Sequence, residues 1–332
     1  MRQLKKLSIA LALAGLVLGT LLVGVYGFGR IANAILSVGV RGFVLFCVWQ
    51  LLVIGILGIA WRVIAPVTQM RLLAIFVWGR MVRDSAASCL PFSQLGGFVL
   101  GARAVTLHGI SLSVATISTV VDITAEFATE ILFAAGGLLI LVIRPPNAAI
   151  VLPAEIGLAL AFVSAAAVLW LQRGVAPILM RLSRRILGRW VNDGSADAPA
   201  SEAELAAMYG HTGRLASGAA LHLLGWIGKG VGNWIAFRLL GSHISLAGAM
   251  AIEGLLHVML AAAILVPASA GVQEAGYVVL GTLFGVPPEV SLGASLIRRA
   301  RDIAIGIPIL LIWQIFEARR LTVAAPLTGP RA

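Results

Sequence analysis

Long apolar runs, separated by short polar stretches, dominate the pattern of this sequence. Most of them reach about 20 residues, the length of an α-helix that crosses a bilayer, and the alternation typical of a transmembrane β-barrel is absent. Two short helices that carry arginines are expected at the membrane surface, at 29–42 and 66–84. The runs predict full spans at 7–27, 43–64, 111–143, 151–172, 215–240, 244–264 and 289–316.

Two further runs are interrupted by the same pattern of proline and glycine. The first holds Pro91 followed by Gly109, and the second holds Pro267 followed by Gly285. The spacing is identical (109 − 91 = 285 − 267 = 18), and the copies lie 267 − 91 = 176 residues apart. Matched interruptions in two halves of a membrane protein indicate a transport site near the bilayer midplane. We therefore expect two re-entrant hairpins; the alternative is a proline kink in an ordinary packed helix.

The fold class that follows is an all-α polytopic membrane protein of about 7–8 transmembrane helices, with two re-entrant broken-helix hairpins in two pseudo-repeated halves. The only long polar stretch separates the halves, and its Asp-Gly-Ser-Ala-Asp-Ala-Pro centre is typical of a flexible linker. The predicted parts are a first half at 1–172 with a re-entrant segment at 85–108, a cytoplasmic linker at 173–214, a second half at 215–318 with a re-entrant segment at 265–285, and a flexible tail at 319–332.

Composition supports the membrane class and limits the classes of molecule that the protein could bind. The 332 residues are 60% hydrophobic and 12% charged, with a mean hydropathy of +0.99, which is too apolar for a soluble core. The net charge of +11 comes from arginines at the ends of apolar runs, where cytoplasmic loops collect them. We therefore expect membrane lipids as partners and no nucleic acid. Lipid-biosynthesis enzymes of the membrane and a second copy of the chain are the protein partners to consider.

The basic residues also predict the orientation of the chain. The first apolar run is too long for a signal peptide, so we expect an uncleaved helix with its amino end in the cytoplasm of a cell with an inner membrane. Seven full spans would place the carboxyl end outside, whereas Arg319 and Arg320 favour the inside. Either one broken segment crosses fully or the count of spans is off by one.

One motif in the second broken run resembles a known family. Residues 267–274 (Pro-Ala-Ser-Ala-Gly-Val-Gln-Glu) resemble the Pro-Gly-Gly-x-Gly-x-x-Glu stretch of the transmembrane, flippase-like region of bacterial lysylphosphatidylglycerol synthases and their stand-alone relatives. Pro267, Gly271 and Glu274 keep the spacing, with alanine and serine in place of two glycines. Downstream, 285–287 (Gly-Val-Pro) and 296–299 (Leu-Ile-Arg-Arg) resemble the continuation of the family motif.

The first half carries a weaker form of the resemblance. Pro91 to Gly96 resembles the family's Pro-x-x-x-x-Gly-Glu, with Gly97 in place of the acid. Residues 90–97 and 101–104 look most like the stand-alone members found with hopanoid biosynthesis. The resemblance implies that a phospholipid, or a related amphiphile such as a hopanoid or glycolipid, moves between leaflets. The domain that attaches an amino acid in bifunctional relatives is missing, so no enzyme activity and no cofactor are expected.

Ionisable residues inside the spans are candidates for a headgroup path, because a charge at the bilayer centre must be paired or face a wet cavity. Asp122, Glu126 and Glu130 recur at i, i+4 and i+8 on one helical face. The offset of 176 maps Asp122 onto Arg298 and Glu126 onto Asp302. We expect Arg298, Arg299 or Arg301 to neutralise the acids; the alternative is an ion-pair network that only locks helices together.

Two polar pairs lie one helical turn apart. Lys229 and Asn233 accompany Gly228 and Gly232, which predict a helix-packing face rather than a phosphate-binding loop. Glu253 and His257 are either a proton-sensitive pair or buried polar contacts, and no metal site is expected. The histidines His108, His211, His222 and His243 are expected at the membrane surface.

The candidate substrate-binding residues are Pro91, Ser93, Gln94, Gly96, Gly97, Arg103, Asp122, Glu126, Glu130, Lys229, Asn233, Pro267, Ser269, Gly271, Glu274, Arg298, Arg301 and Asp302. They favour a lipid flippase or scramblase. An intramembrane lipid-modifying enzyme and a non-transporting partner of lipid-synthesis enzymes are the competing hypotheses.

Overall fold

A computed structural model describes residues 28–90, 93–143, 156, 202–262 and 271–323. Every regular element in these ranges is helical, which confirms the all-α class, and a short 3-10 turn at Met70–Leu72 joins the first two helices. The predicted spans at 7–27 and, apart from Ile156, at 151–172 lie outside the described residues, and the other five coincide with helices. The helices are α1 Phe28–Ile64, α2 Leu73–Cys89, α3 Ser93–Thr106, α4 Leu112–Ile143, α5 Glu202–Gly210, α6 Thr212–Leu239, α7 Leu246–Ala262, α8 Val272–Leu283 and α9 Pro288–Val323.

Two helices in the described part of the chain are long and apolar enough to cross a membrane, Leu36–Ile64 within α1 and Leu112–Ile143, which is α4. At Gly39 the backbone of α1 leaves the helical region (φ 72°, ψ 154°), which places a kink inside the predicted surface helix at 29–42. The outward face of α1 is an apolar stripe at i, i+4 spacing, as expected for contact with lipid tails. Its exposed residues are Leu36, Val40, Val44, Val48 and Leu52.

The first broken run forms an antiparallel pair of helices, α2 and α3. Leu90 has an extended backbone (φ −108°, ψ 150°), as favoured before a proline, and this ends α2. The glycines show the direction of the chains, because Gly79 lies against Val105 and Gly97 against the backbone of Arg83. The break therefore reverses the chain and is not a kink in a continuous helix. Pro91 itself lies outside the described residues.

The expectation of a surface helix at 66–84 is wrong. Most of that range belongs to α2, in which Phe76 and Val82 are buried together with the side chains of Arg80 and Arg83. The arginines made the segment look like a membrane-surface helix. They are instead paired with acids on a neighbouring helix, which allows α2 to pack inside the bundle, whereas most residues of the loop at 66–72 are exposed.

The second broken run has the same antiparallel form. Gly276 of α8 lies against Leu256 of α7, and Gly248 near the start of α7 lies against Phe284 at the end of α8. Helix α8 begins directly after Gly271, whose φ of +79° is the left-handed region that favours glycine. The connection at 263–270, with Pro267 and Ser269, lies outside the described residues.

Helices α1 and α6 run antiparallel along most of their length. Gly218, Gly225 and Gly228 on α6 lie against Ile64, Leu57 and Val53 on α1, in that order. The Nε1 of Trp49 also donates a hydrogen bond of 2.8 Å to the carbonyl oxygen of Gly228. The predicted packing role of the Gly228–Gly232 pair is thus confirmed, because these glycines bring the two backbones close together.

The first short helix of each antiparallel pair packs against long helices from both halves of the chain. Helix α2 packs against α1 and α9, and helix α7 packs against α6 and α4. Val82 and Ala86 of α2 share a buried apolar cluster with Ile309 and Trp313 of α9. Ile252 and Leu256 of α7 share another with Leu141 of α4. The two parts of the chain therefore interlock.

Two predicted boundaries need correction. Part of the expected linker at 173–214 is helical, and Leu205 and Met208 of α5 are buried against Val120 and Val121 of α4. The tail expected from residue 319 begins later, because α9 continues to Val323. Residues 324–332, like the Asp-Gly-Ser centre of the linker, lie outside the described residues.

Two adjacent glycines of α3 provide a test of the α2–α3 packing. A Cβ on Gly97 would lie 2.6 Å from the backbone oxygen of Arg83, whereas a Cβ on Gly96 would meet nothing within 4 Å. We expect Gly97→Ala to destabilise the protein by about 1–3 kcal/mol through overpacking. Gly96→Ala should be neutral or stabilising by up to about 1 kcal/mol, because alanine is the better helix former. Thermal unfolding in detergent measures both, and equal midpoints would contradict the close approach.

Candidate functional site

Five buried polar side chains join α2, α4 and α6 in what we call the α2–α4 charge cluster, formed by Arg80, Arg83, Asp122, Glu126 and His222. Arg80 donates to both carboxylate oxygens of Glu126, at 3.0 and 2.6 Å. Arg83 donates to Oδ2 of Asp122 at 2.7 Å and also to Glu126. Nε2 of His222 lies 2.8 Å from Oδ1 of Asp122. Both acids are thus neutralised by neighbours within the cluster.

This cluster overturns two sequence expectations. Asp122 and Glu126 were expected to pair with arginines of the second half at 298–301, but their partners are Arg80 and Arg83. His222 was expected at the membrane surface, and its side chain is 0% exposed. The offset of 176 relates equivalent positions but does not say which helices touch. For these two acids the structure favours the alternative of an ion-pair network that locks helices together.

The second group of buried polar residues, the α7–α9 charge cluster, consists of Asn233, Glu253, His257, Tyr277 and Arg298. Nη1 of Arg298 donates to Oε2 of Glu253 at 2.6 Å and to the hydroxyl of Tyr277 at 3.2 Å. That hydroxyl donates to Oδ1 of Asn233 at 3.0 Å, and the Asn233 amide donates to the carbonyl oxygen of Ala249 at 3.0 Å. Nδ1 of His257 lies 3.5 Å from Glu253.

The two clusters occupy equivalent elements but have opposite polarity. In the first, the short helix α2 supplies the bases and the long helix α4 supplies the acids. In the second, the short helix α7 supplies the acid Glu253 and the long helix α9 supplies the base Arg298. Sequence reasoning missed Arg80, Arg83 and Tyr277. The charged residues could have been found as an i, i+3 pair of arginines facing an i, i+4 pair of acids.

Other predicted site residues form separate local contacts. The backbone N–H of Gly271 donates to Oε2 of Glu274 at 2.8 Å, which caps the start of α8, and Arg299 approaches the other carboxylate oxygen at 3.6 Å. Nε and Nη2 of Arg301 both donate to Oδ1 of Asp302, at 3.0 and 2.7 Å. Gly271, Glu274 and Arg299 lie at the second break, whereas the backbone of Asp302 lies beside Cys89 at the end of α2, next to the first break.

Arg103 of α3 is paired with a residue that the sequence did not single out. Its Nε and Nη2 donate to the two carboxylate oxygens of Glu317 on α9, at 3.1 and 2.8 Å, and both side chains are 8% exposed. The pair ties the first hairpin to the last helix. Gly97 also has a structural role, since it allows α3 to approach α2.

Lys229 and Glu130 differ from the paired residues. In the described ranges Lys229 has no carboxylate within 4 Å; its Nζ lies 3.8 Å from the centre of the Trp226 ring. Trp226 itself packs edge-on against His257 of the α7–α9 charge cluster, with 4.7 Å between ring centres, and the charge of Lys229 acts on Glu126 of the α2–α4 charge cluster, so Lys229 lies close to both clusters. Glu130 likewise shows no hydrogen bond or ion pair to any described residue. Both side chains are partly buried.

Several candidates cannot be placed in this geometry. Pro91, Pro267 and Ser269 lie outside the described residues, as do the side chains of Ser93 and Gln94 in the first turn of α3. Among the residues that are described, no group of three histidine, cysteine, aspartate or glutamate side chains is placed to hold a metal ion.

Helical packing, an apolar exterior and buried ion pairs together define a polytopic α-helical membrane protein. A comparison with protein families matches residues 7–309 to the lysylphosphatidylglycerol synthase TM region. The chain therefore belongs to this family of membrane domains, which is associated with lipid handling, and the resemblance inferred from the sequence motifs is confirmed. No curated protein and no solved structure matches the chain.

The Arg103–Glu317 pair can be tested as a structural lock. We expect Arg103→Met and Glu317→Leu each to lower the free energy of unfolding by about 3–5 kcal/mol, because each leaves a buried charge without its partner. The double variant should lose much less than the sum, because it buries no unpaired charge. Unfolding midpoints in detergent for all four proteins measure this coupling. Additive losses, or lost lipid transport at unchanged stability, would contradict a purely structural role.

Proposed function

We propose that this protein moves a phospholipid or related amphiphile between the leaflets of the inner membrane as a flippase or scramblase. The observation that carries the proposal is a matched pair of helix breaks flanked by ionisable residues inside an apolar bundle. A backbone interrupted at membrane depth must be buried in protein or line a wet cavity, because unsatisfied peptide groups in hydrocarbon cost several kcal/mol. Such a cavity is where a polar headgroup can cross.

The helices support two inverted halves. Helices α1–α4 follow the order long, short, short, long, and α6–α9 repeat that order. Helices α4 and α9 begin 288 − 112 = 176 residues apart. The equivalent helices α1 and α6 pack antiparallel. The packing of α2 on α9 has its counterpart in the packing of α7 on α4. Antiparallel equivalents indicate a pseudo-twofold axis in the membrane plane, as in many transporters.

The two helix pairs then become re-entrant hairpins. Helices α2 and α7 have 17 residues each and are ~25 Å long, less than the hydrocarbon core of about 30 Å. Because α1 and α6 run in opposite directions, the hairpins that follow them open at opposite ends of the bundle. The predicted span at 244–264 is in this arrangement an arm of the second hairpin. Without this segment, six of the seven predicted spans cross the membrane fully. An even number of spans places both chain ends on the same side of the membrane.

The distribution of arginines supports placing that side in the cytoplasm. Phe316 of α9 lies against His108, and Ser113 at the start of α4 bonds Glu204 of α5, so these elements share one end of the bundle. The same end carries Arg62, Arg71, Arg214 and Arg319, whereas the opposite end carries Arg41 and Arg238 among the described residues. Cytoplasmic surfaces collect arginine. With both chain ends in the cytoplasm, Arg319 and Arg320 lie on the side that their charge favours.

Within the bundle, we propose that the headgroup passes beside Lys229 and Glu130. The cations and anions of the two charge clusters already contact one another, whereas Lys229 and Glu130 lie close to the clusters without such partners in the described residues. A cation and an anion at membrane depth suit a headgroup that must shed water, while the tails remain in the bilayer. Because the sequence has no nucleotide-binding motif, movement is passive or ion-coupled.

The topology can be tested by thiol labelling from one side. Thr68 lies in the α1–α2 loop and His243 in the α6–α7 loop, and both are exposed. We expect an impermeant maleimide to label His243→Cys in intact spheroplasts and Thr68→Cys only after permeabilisation. The unmodified chain is the control for the native Cys47 and Cys89. Labelling of both positions from the same side would refute the inverted arrangement.

Transport can be tested by reconstitution into vesicles with a fluorescent lipid whose outer-leaflet copies are quenched by a membrane-impermeant reagent. We expect the wild type to expose inner-leaflet lipid to the reagent. Lys229→Gln and Glu130→Gln should slow this by about tenfold or more, equivalent to ~1.4 kcal/mol in the barrier. Glu274→Gln should also slow it, because it removes a charge beside Arg299 and the second break.

The control for transport is Arg238→Gln, an exposed arginine at the end opposite the cytoplasm. It should transport at the wild-type rate, and all variants should keep the wild-type unfolding midpoint. A wild type that moves no lipid would exclude the proposed function. A mass change in the lipids instead would favour an intramembrane enzyme, and wild-type rates in every variant would exclude the proposed path.

A further inference from the structure

A cavity of about 600 Å³ lies at the cytoplasmic mouth of the first hairpin, between the α1–α2 connection and the α3–α4 connection. Its polar lining consists of Gln69, Arg71, His108 and Ser111, and the rest of the lining is apolar, including Ile75 and Val114. This volume is in the range of small-molecule sites, about 300–1,000 Å³. Polar and apolar walls in one cavity suit an amphiphile better than a free ion.

The polar wall offers donors in a fixed arrangement. Nε of Arg71 donates to Oε1 of Gln69 at 2.8 Å, which orients the guanidinium. Arg62 donates to the backbone oxygen of Gln69 at 3.2 Å, so the loop is held from both sides. The terminal nitrogens of Arg71 have no partner among the described residues, and the residue is exposed. An oriented guanidinium fork is the geometry that binds a phosphate with two hydrogen bonds.

The other connection adds two more polar groups. The hydroxyl oxygen of Ser111 accepts from the backbone N–H of Val114 at 3.3 Å, which leaves its own proton to donate. The ring of His108 packs edge-on against Phe316 of α9, with 5.5 Å between centres, and its Nδ1 lies 2.9 Å from the carbonyl oxygen of Ala104. The ring is thus held in place on a wall that continues into apolar surface.

The charge around the cavity is positive. Arg62 lies close enough to Arg214 for the two charges to act on each other, and Arg71 adds a third positive charge. Helix α5 carries two acids, Glu202 and Glu204, so the three arginines outnumber the carboxylates of that helix; Glu204 accepts a hydrogen bond of 3.1 Å from the hydroxyl of Ser113. This balance favours an anionic group over a zwitterionic one.

We propose that this cavity binds the headgroup phosphate of an anionic phospholipid from the cytoplasmic leaflet. Arg71 and Ser111 hold the phosphate, and the apolar wall receives the first carbons of the acyl chains. The place of this site on a crossing route rests on the proposed function, but binding itself does not. The cavity adjoins the mouth of the α2–α3 hairpin, so a lipid bound there lies beside the proposed path.

Photo-cross-linking of the full chain in nanodiscs tests the site without measuring transport. The probe is phosphatidylglycerol with a diazirine close to its headgroup, and mass spectrometry of the peptides locates the adduct. We expect adducts in residues 67–75 and 108–114. Arg71→Gln should reduce them about tenfold, Arg71→Lys should reduce them less, and Arg238→Gln should leave them unchanged as the matched exposed arginine.

Competition defines the ligand. Unlabelled phosphatidylglycerol should suppress the adducts at concentrations where phosphatidylcholine does not, and soluble glycerol 3-phosphate should have little effect. Adducts that persist in Arg71→Gln, equal competition by phosphatidylcholine, or displacement by glycerol 3-phosphate alone would each overturn the proposal. Specific adducts in a protein that moves no lipid would reject the proposed function and leave this site standing. Lipid transport without adducts at 67–75 and 108–114 would reject this binding site and leave the proposed function standing.

Discussion

The need to neutralise charge inside a membrane governs how these helices are arranged. Arg80, Arg83, Asp122 and Glu126 would each be costly alone, since one charge at the bilayer centre costs about 2.5–3.5 kcal/mol even on insertion-based scales. Paired, they bind α2 to α4 through several short hydrogen bonds. Each hairpin is thus tied to the long helix that follows it. Its arms are then fixed in position without a covalent link or a large soluble domain.

Close backbone contact is the second constraint, and it acts together with the first. The glycines of α6 allow α1 to approach along its length, and Gly97 does the same between α3 and α2. In lipid, helices gain little from the hydrophobic effect when they associate, so tight contact and polar bonds must supply the attraction. The charge clusters provide the polar bonds, and the small residues bring the helices near enough for the side chains to reach one another.

The helices and their breaks could be predicted from the sequence, but the side chains that pair with each other inside the bundle could not. The breaks around Pro91 and before Gly271 follow from proline and glycine chemistry, and helix ends at Ile64 and Ile143 follow from hydropathy. The burial of Arg80 did not follow from its own segment, whose arginines resemble those of a surface helix; it follows only when the arginine pair is matched with the acids of α4. His222 lies within the predicted span at 215–240, but nothing in that span indicates Asp122 as its partner. Only contact between α2, α4 and α6 makes these positions internal. The offset of 176 residues shows which positions of the two halves are equivalent, but it does not show which helices those positions contact.

The closed ion pairs within the two charge clusters limit where a lipid headgroup could pass. If the arginines of the clusters were the phosphate ligands, each passage would have to break ion pairs whose loss leaves a buried charge, at about 3–5 kcal/mol. A cation outside the clusters avoids that cost. Lys229, on the proposed path, is held against Trp226 by a cation–π contact of 3.8 Å, which is weaker than a buried ion pair. The clusters can then stay intact as the scaffold while a headgroup passes between them.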